Sequence, residues 1–196
     1  MKNLDLFATR IWYENIDNLA PFHKEWVETI KNIRTNKNDN KNYSVKNGWQ
    51  GDLDFNEIES LAILKQKLLP LFKDILKEIA PQKNINFNIK AWANIQDQIG
   101  YNEPHVHPFS LFSAVYYLKV SDKSGSICFK DPRPGLQNHI FASSSNPPPP
   151  NNFSSIKIKP KEGLLLIFPS WLEHFTEVNY DSTERISIAM NIDLIL

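Results

Sequence analysis

Two histidines in the second half of the chain have the spacing of a metal-binding pair. His105 and His107 are separated by one residue, and in an extended segment that spacing puts both imidazoles on the same side of the backbone. Neutral imidazoles suit divalent transition metals. Pro104 and Pro108 disfavour a helix here and stiffen the segment. Because such a pair also occurs as an exposed polar edge, a third ligand is needed before it indicates a metal site.

A third histidine, His174, follows in a later extended region. The apolar run 164–168 predicts a buried strand, and a turn connects this strand to His174. Arg185 then begins the next strand, with Ser187 on the same face. An arginine buried inside a barrel needs an anion, and its planar guanidinium pairs best with a carboxylate. From spacing alone, Arg185 could equally be a surface residue after the polar turn 179–182.

The first half of the chain predicts two helices that would support this region. Apolar residues recur at spacings of three and four along residues 16–33 and again along 58–79, so each segment has one apolar stripe. Pro70 lies inside the second stripe and should kink that helix or split it in two. The polar stretch 36–47 between the stripes is expected to be an exposed loop.

The second half of the chain changes to short β-prone runs bounded by Gly, Pro, Asn and Asp. So many runs over such a length predict a β-sandwich or barrel, with the two helices packed on one outer face. The runs cover residues 85–99, 111–120, 126–130, 155–158, 164–168, 175–178 and 185–194.

Four other features have ordinary structural interpretations. His23 is expected to be a partly exposed residue of the first helix, and His139 a surface loop residue. Cys128, the single cysteine, lies in a β-prone run, so we expect it to be buried and the compartment to be reducing. Pro147–Pro150 predicts a rigid loop near a site mouth, with a partner-docking element as the alternative.

The overall charge argues against some partners. The sequence has 22 Lys plus Arg and 22 Asp plus Glu, so its formal net charge is zero. Proteins that bind nucleic acid usually have a basic surplus, so we consider a nucleic-acid partner disfavoured. No apolar leader and no run long enough to span a membrane is visible. We therefore expect no membrane partner and a cytoplasmic location.

The order of these residues resembles that in the iron(II)- and 2-oxoglutarate-dependent oxygenases. More narrowly, it resembles a branch of them that is common in marine bacteria and their phages. The resemblance implies a mainly β fold with flanking helices. Its core would be a double-stranded β-helix, or jelly roll, over residues 83–196, with helical support from 1–82 in one domain, 1–196. The matching stretches are 6–9, 48–50, 91–94, 105–108, 115–118, 131–133, 168–174 and 185–191.

The resemblance also implies Fe(II) as cofactor, 2-oxoglutarate as co-substrate and a hydroxylation reaction. His105 and His174 would be the two histidine ligands of the metal. Arg185 would bind the far carboxylate of 2-oxoglutarate, with Ser187 as a helper. Tyr117 matches a tyrosine that contacts the same carboxylate in related prolyl hydroxylases.

One residue departs from the family pattern. His107 stands where most of the superfamily has Asp or Glu, and a neutral imidazole there would leave the iron with one more unit of positive charge. Three-histidine iron sites occur in some other dioxygenases, so we take His107 as the third ligand. Glu103, two residues before His105, is the alternative, whereas Glu173 is expected to point away from His174. Tyr116 should face the side of its strand opposite Tyr117 and serve in packing.

Two other classes of protein remain as alternatives. A cupin also uses His-x-His, but it needs a Glu a few residues later, and residues 109–113 contain none. A zinc hydrolase with three histidines and one water is chemically sensible. A non-oxygenase metal-binding jelly roll or an interaction module is the broader alternative. The substrate is expected to be a small molecule or a peptide, and a homodimer is left open.

Overall fold

The computed structural model describes residues 8–36, 40–41, 43–55, 58–81, 85–133 and 155–195. A 3-10 helix (Asp17–Phe22) leads into helix α1 (His23–Asn36), and helix α2 spans Glu59–Ile79. The strands in these ranges are β1 (Trp12–Asn15), β2 (Val45–Leu53), β3 (Phe87–Asn102), β4 (Phe112–Lys119), β5 (Ile127–Lys130), β6 (Ser155–Ile158), β7 (Leu164–Pro169), β8 (His174–Thr176) and β9 (Arg185–Leu194).

The strands form two antiparallel sheets. The larger has the order β1-β7-β4-β9-β3-β2, and the smaller has the order β6-β5-β8. A buried cluster between them joins Val115 and Phe168 of the larger sheet to Ile127 and Phe129 of the smaller sheet. The fold is therefore the mainly β double-stranded β-helix with flanking helices that the sequence predicts.

Strict alternation along the central strands separates the two faces of the larger sheet. On β4, Val115 and Tyr117 face the space between the sheets, whereas Tyr116 belongs to the hydrophobic cluster on the outer face. Helices α1 and α2 cover that outer face with fully buried side chains such as Trp26 and Leu64. The expected packing role of Tyr116 is confirmed, and the helices lie on one outer face as predicted.

Three features of the first half differ from the prediction. Residues 1–82, expected to be helical support, also contribute β1 and β2 to the larger sheet. Strand β2 begins at Val45, inside the expected loop 36–47. Helix α2 continues through Pro70 instead of dividing there. Because Pro70 has no backbone N–H, the carbonyl group of Gln66 loses its usual hydrogen-bond donor. Both residues lie on the exposed side of the helix, where water can replace the missing bond.

The prediction for His23 was wrong, because His23 is 8% exposed. It opens α1 and faces the larger sheet, where its Nε2 lies 2.8 Å from the hydroxyl of Tyr116. Cys128 is buried, as expected. His139 and the segment Pro147–Pro150 lie outside the described residues. No helix in the described ranges is both long and apolar enough to cross a membrane.

Candidate metal centre

The three predicted histidines come together at one end of the space between the sheets. The segment around His105 lies beside β8 and forms a reciprocal backbone pair with His174, with both N–H···O distances at 3.0 Å. The backbone N–H of His107 donates to the carbonyl of Ser170 at 2.9 Å. The ladder therefore fixes the position of the His-x-His segment relative to the distal histidine, although 66 or more residues separate them in sequence.

Backbone carbonyls orient two of the three rings. Nδ1 of His105 donates to the carbonyl of Glu103 at 2.6 Å, and Nδ1 of His174 donates to the carbonyl of Leu172 at 2.9 Å. Each Nε2 therefore keeps its lone pair, which is the arrangement of metal-ligating histidines. Nε2 of His107 lies 3.3 Å from Nε2 of His174. This separation suits two nitrogens that share one ion at roughly 2 Å each.

The local environment keeps these imidazoles neutral. Burial lowers the pKa of His105. Burial and the neighbouring His105 lower the pKa of His107 to about 4 and that of His174 to about 3. One ligand atom from each of the three rings lies within 4.8 Å of the others. Because a metal binds the neutral imidazole, the site is ready for a cation at neutral pH.

The nearby carboxylates have other partners. Glu103 forms an ion pair with Lys46 at 3.1 Å, and Glu173 forms one with Lys130 at 2.8 Å. In the described part of the chain, the one cluster of potential metal ligands consists of the three histidines and contains no carboxylate. The geometry thus favours His107 over Glu103 as the third member.

A narrow cavity of about 50 Å³ extends from the histidines into the space between the sheets. Its wall on the larger sheet is a row of polar side chains from four neighbouring strands. Gln50 pairs with Asn94, Asn94 with Ser187, and Ser187 with Tyr117. Cross-strand partners share a face, so all four side chains point to the cavity. We call this cavity the inner chamber.

Arg185 lies in the inner chamber and forms no ion pair with any described residue. It is 2% exposed, and its guanidinium carbon lies 5.3 Å from the centre of the Tyr117 ring. One terminal nitrogen donates to the carbonyls of Ser124 at 3.2 Å and Gly125 at 3.3 Å. Its Nε and the Tyr117 hydroxyl form no well-aligned hydrogen bond among the described residues, although the two side chains lie close enough to attract each other. A buried guanidinium in this state calls for an anion.

Burial also acts on the acid–base properties of this pair. It lowers the pKa of Arg185, and it raises the pKa of Tyr117. The phenol therefore stays protonated at neutral pH and can donate a hydrogen bond, while a guanidinium keeps its proton in proteins. Together, the guanidinium and the phenol offer hydrogen-bond donors and a positive charge to a ligand in the chamber, and neither of them carries a negative charge.

Two polar residues of the chamber were missed by the sequence analysis. Gln50 donates through Nε2 to Oδ1 of Asn94 at 2.7 Å, and its own Oε1 accepts from the backbone N–H of Ser44 at 3.2 Å. The stretches 48–50 and 91–94 were identified by the family resemblance alone. No spacing rule could reveal that β2 and β3 bring these two amides together.

A wider outer cavity of about 380 Å³ opens from the histidines toward the surface. Four residues line both cavities, namely Gln50, Trp92, His105 and His107. The ring centroid of Trp92 lies 5.5 Å from that of His107. Trp92 and Gln50 therefore border the passage between the surface and the inner chamber.

A double-stranded β-helix with a histidine-based metal site at one end and a buried arginine further in is typical of a class of iron oxygenases. A family model described as "Putative 2OG-Fe(II) oxygenase" matches residues 90–191. This match covers more than half of the chain, which therefore belongs to the 2OG-Fe(II) oxygenases. Fe(II) is the cofactor of this family and 2-oxoglutarate is its co-substrate. No curated protein matches the sequence significantly.

Solved structures of this class share the fold at low sequence identity. A prolyl-4-hydroxylase from Pseudomonas putida is 10% identical with a TM-score of 0.67, and the match covers 94% of this chain and 92% of that one. A viral collagen prolyl hydroxylase from Paramecium Bursaria Chlorella virus-1, in a complex with 2OG, is 19% identical with a TM-score of 0.58, covering 92% and 95%. HygX from Streptomyces hygroscopicus, with nickel and 2-oxoglutarate bound, is 12% identical with a TM-score of 0.61, covering 94% and 83%.

Proposed function

We propose that this protein is an Fe(II)- and 2-oxoglutarate-dependent dioxygenase that hydroxylates its substrate, with His105, His107 and His174 as the metal ligands. The observation that carries the proposal is the pairing of two features in one cavity. Imidazole nitrogens converge at the mouth of the inner chamber, and further in lies a buried guanidinium for which the described ranges provide no counter-ion. A dicarboxylate with a keto group at one end has the charges to satisfy both features.

The donor set fits iron(II). Neutral imidazoles bind divalent iron, and three of them leave positions for further ligands. When bound, iron supplies the activation of dioxygen that is coupled to the oxidation of 2-oxoglutarate to succinate and carbon dioxide. The contribution of this chain is to bind and orient the reactants and to exclude water.

The inner chamber would bind the far carboxylate of 2-oxoglutarate. Arg185 supplies charge and the unused Nε–H, Tyr117 supplies a phenol O–H, and Ser187 lies beside them with a hydroxyl. A charge-assisted bond to a guanidinium is about twice as strong as a neutral one. The apolar wall made by Phe168 and Ile127 excludes water and strengthens these contacts.

The substrate would approach from the outer cavity. Gln50 and Trp92 border the passage to the histidines, so a C–H bond held between them faces the metal position. The rigid ladder around His105 and His174 keeps the ligand nitrogens in place during the reaction.

The test combines iron binding with turnover. We expect wild-type protein to release succinate from 2-oxoglutarate only when Fe(II) is added, and His174→Ala to lose both iron binding and succinate release. His107→Asp places the superfamily's usual carboxylate at the third position. We therefore expect this variant to bind iron, whereas His107→Ala should bind iron only weakly. Full iron binding in both His174→Ala and His107→Ala would refute the ligand assignment.

A further inference from the structure

Three exposed apolar residues either line the outer cavity or directly follow a residue that lines it. Tyr43 and Val106 line the cavity, and Phe109 follows Pro108, which lines it as well. Tyr43 is 79% exposed and Phe109 is fully exposed. We call Tyr43, Val106 and Phe109 the apolar rim. Large apolar groups collected beside a reactive site are typical of a surface that binds a ligand.

The backbone conformation of Phe109 supports a role for its ring in contacting a partner molecule. Its φ of 71° lies in the left-handed region, which is unfavourable for a bulky side chain. The fully exposed ring gains no burial within the chain that would offset this strain. Strained residues persist where function uses them. The aromatic ring of Phe109 is therefore held outward at a conformational cost, as a contact for a partner would require.

The charges beside the outer cavity are balanced. Lys41 pairs with Asp52 and Lys46 pairs with Glu103. A polyanion such as RNA would need unpaired cations along its path. Paired charges around an apolar rim complement an uncharged ligand instead.

Strand β2 borders the outer cavity with its outer edge, part of which has no backbone partner among the described residues. It is the last strand of the larger sheet. The N–H of Gln50 donates to Oδ1 of Asn40 at 3.1 Å, and its carbonyl accepts from the N–H of Lys41 at 3.2 Å. Both groups of Gln50 thus point away from β3, and in an antiparallel ladder the same groups of Asp52 must do so too. The described residues supply no backbone partner for them.

The surface also has room for a chain that runs past the site. A neighbouring groove shares Asp52, Trp92 and Asn191 with the outer cavity and continues along β3 past Lys90. The two depressions are therefore continuous. A ligand longer than the outer cavity can extend into this groove while one of its residues faces the histidines.

We infer that the substrate is an extended, uncharged polypeptide segment that pairs with the outward backbone groups of Asp52 on β2, which have no backbone partner in the described part of the chain, and places apolar side chains on the apolar rim. An unpaired strand edge binds a peptide backbone through N–H and C=O groups, whereas a lipid or an apolar small molecule gains nothing from it. This inference rests on the proposed function, because it assigns the substrate class of the same site.

The first experiment uses pools of synthetic peptides about ten residues long, the length of an extended strand ligand. One pool lacks charged residues, and two others are rich in acidic or in basic residues. With iron-loaded protein, the uncharged pool is expected to accelerate succinate release above the peptide-free rate and to gain the mass of one oxygen atom. The charged pools are expected to do neither.

The second experiment measures binding without turnover, by fluorescence anisotropy of a labelled peptide from the uncharged pool with metal-free protein. Asp52→Pro removes the outward N–H and leaves the bonds to β3 intact, so we expect about tenfold weaker binding, whereas Asp52→Asn keeps the N–H and should bind the peptide more tightly than Asp52→Pro. Phe109→Ser should weaken binding by a similar factor. Tyr180→Ser, a substitution of another exposed aromatic residue, is the matched control.

The outcomes separate this inference from the proposed function. If 2-oxoglutarate is turned over but only small molecules or RNA accelerate it, the polypeptide assignment is wrong and the oxygenase stands. If peptides bind as described and no 2-oxoglutarate is consumed, the proposed function fails and the docking surface stands. Equal peptide binding by wild type, Asp52→Pro and Phe109→Ser would overturn the inference. Phe109→Ser decides alone if Asp52→Pro does not fold.

Discussion

At the scale of single residues, charge is the property that organises the inner chamber. Three imidazoles with lowered pKa values give the metal position neutral ligands, and Arg185 adds a buried positive charge without an acidic partner among the described residues. Fe(II) and the arginine would together bring three positive charges, and the dianionic co-substrate would balance two of them. The chamber is therefore electrostatically incomplete until a dianion enters it.

Because of this imbalance, we expect Arg185→Met to weaken the binding of 2-oxoglutarate without lowering the stability of the ligand-free protein. Methionine fills a similar volume and removes a buried unpaired charge, so the ligand-free variant should be at least as stable as wild type. Its affinity for 2-oxoglutarate should fall about 100-fold or more, because a desolvated carboxylate loses its charged partner. Calorimetric titration and thermal unfolding measure the two effects. A variant that is strongly destabilised and still binds 2-oxoglutarate would contradict the assignment.

The histidines make the stability of the metal-free protein depend on pH. The pKa is about 4 for His107 and about 3 for His174 in the folded protein, against 6.5 for an unperturbed histidine. Between these values the unfolded chain binds more protons than the folded one. The free energy of unfolding should therefore fall as the pH drops from 6.5 toward 4, and these two groups should leave it unchanged at higher pH.

Urea unfolding of metal-free protein over this pH range tests the point. His107→Gln removes one of the titrating groups, so its free energy of unfolding should fall less steeply with decreasing pH than that of the wild type. An equally steep fall in the variant would show that His107 is not responsible.

At the scale of elements, the strands of the second half were predictable and those of the first half were not. The runs 111–120 and 185–194 have alternating or continuous apolar patterns, and β4 and β9 occupy them almost end to end. Strand β2 has the sequence VKNGWQGDL, with two glycines and few β-formers. Only its pairing with β3 makes it a strand, and a single sequence cannot show such a long-range contact.

In helix α2, tertiary packing outweighs a local sequence signal that would end the helix. Of the two effects expected of Pro70, a kink or a split, the split does not occur, because the buried side chains on either side of it, Leu68 and Phe72, fix one continuous apolar face against the larger sheet. Packing on that face outweighs the loss of one hydrogen bond on the exposed face.

The cost of Pro70 should be measurable. Pro70→Ala restores the backbone donor in an exposed turn, so the free energy of unfolding is expected to rise by about 1–3 kcal/mol. Pro81→Ala, just beyond the end of the helix, is the control and should change the stability by less than about 0.5 kcal/mol. Loss of stability in Pro70→Ala would mean that the proline is favourable in its position.

At the scale of the whole molecule, the helices pack on one face of the larger sheet, and the other face of that sheet carries part of the site. Side chains of α1 and α2 share one hydrophobic cluster with the outer face of the larger sheet, and the inner face of the same sheet presents the row from Gln50 to Tyr117. We propose on this basis that residues 1–196 form one domain. The helices would stabilise the sheet and thereby hold that polar row in register.

The site itself was only partly accessible from the sequence. His105, His107 and His174 could be selected by residue type, and Arg185 by its place after the distal histidine. The alignment of Gln50 and Asn94 depends on the register of four strands, and the register follows from tertiary pairing that no local pattern encodes. The apolar rim was not predicted for the same reason.

One measurement tests the central claim most directly: a crystal structure of the protein with Fe(II) and 2-oxoglutarate, obtained without oxygen. The account predicts one metal ion bound by Nε2 atoms of His105, His107 and His174. It also predicts the keto-acid end of 2-oxoglutarate on that metal and the far carboxylate against Arg185 and Tyr117. A metal held by a carboxylate in place of His107, or a 2-oxoglutarate molecule that leaves Arg185 without an anion, would contradict it.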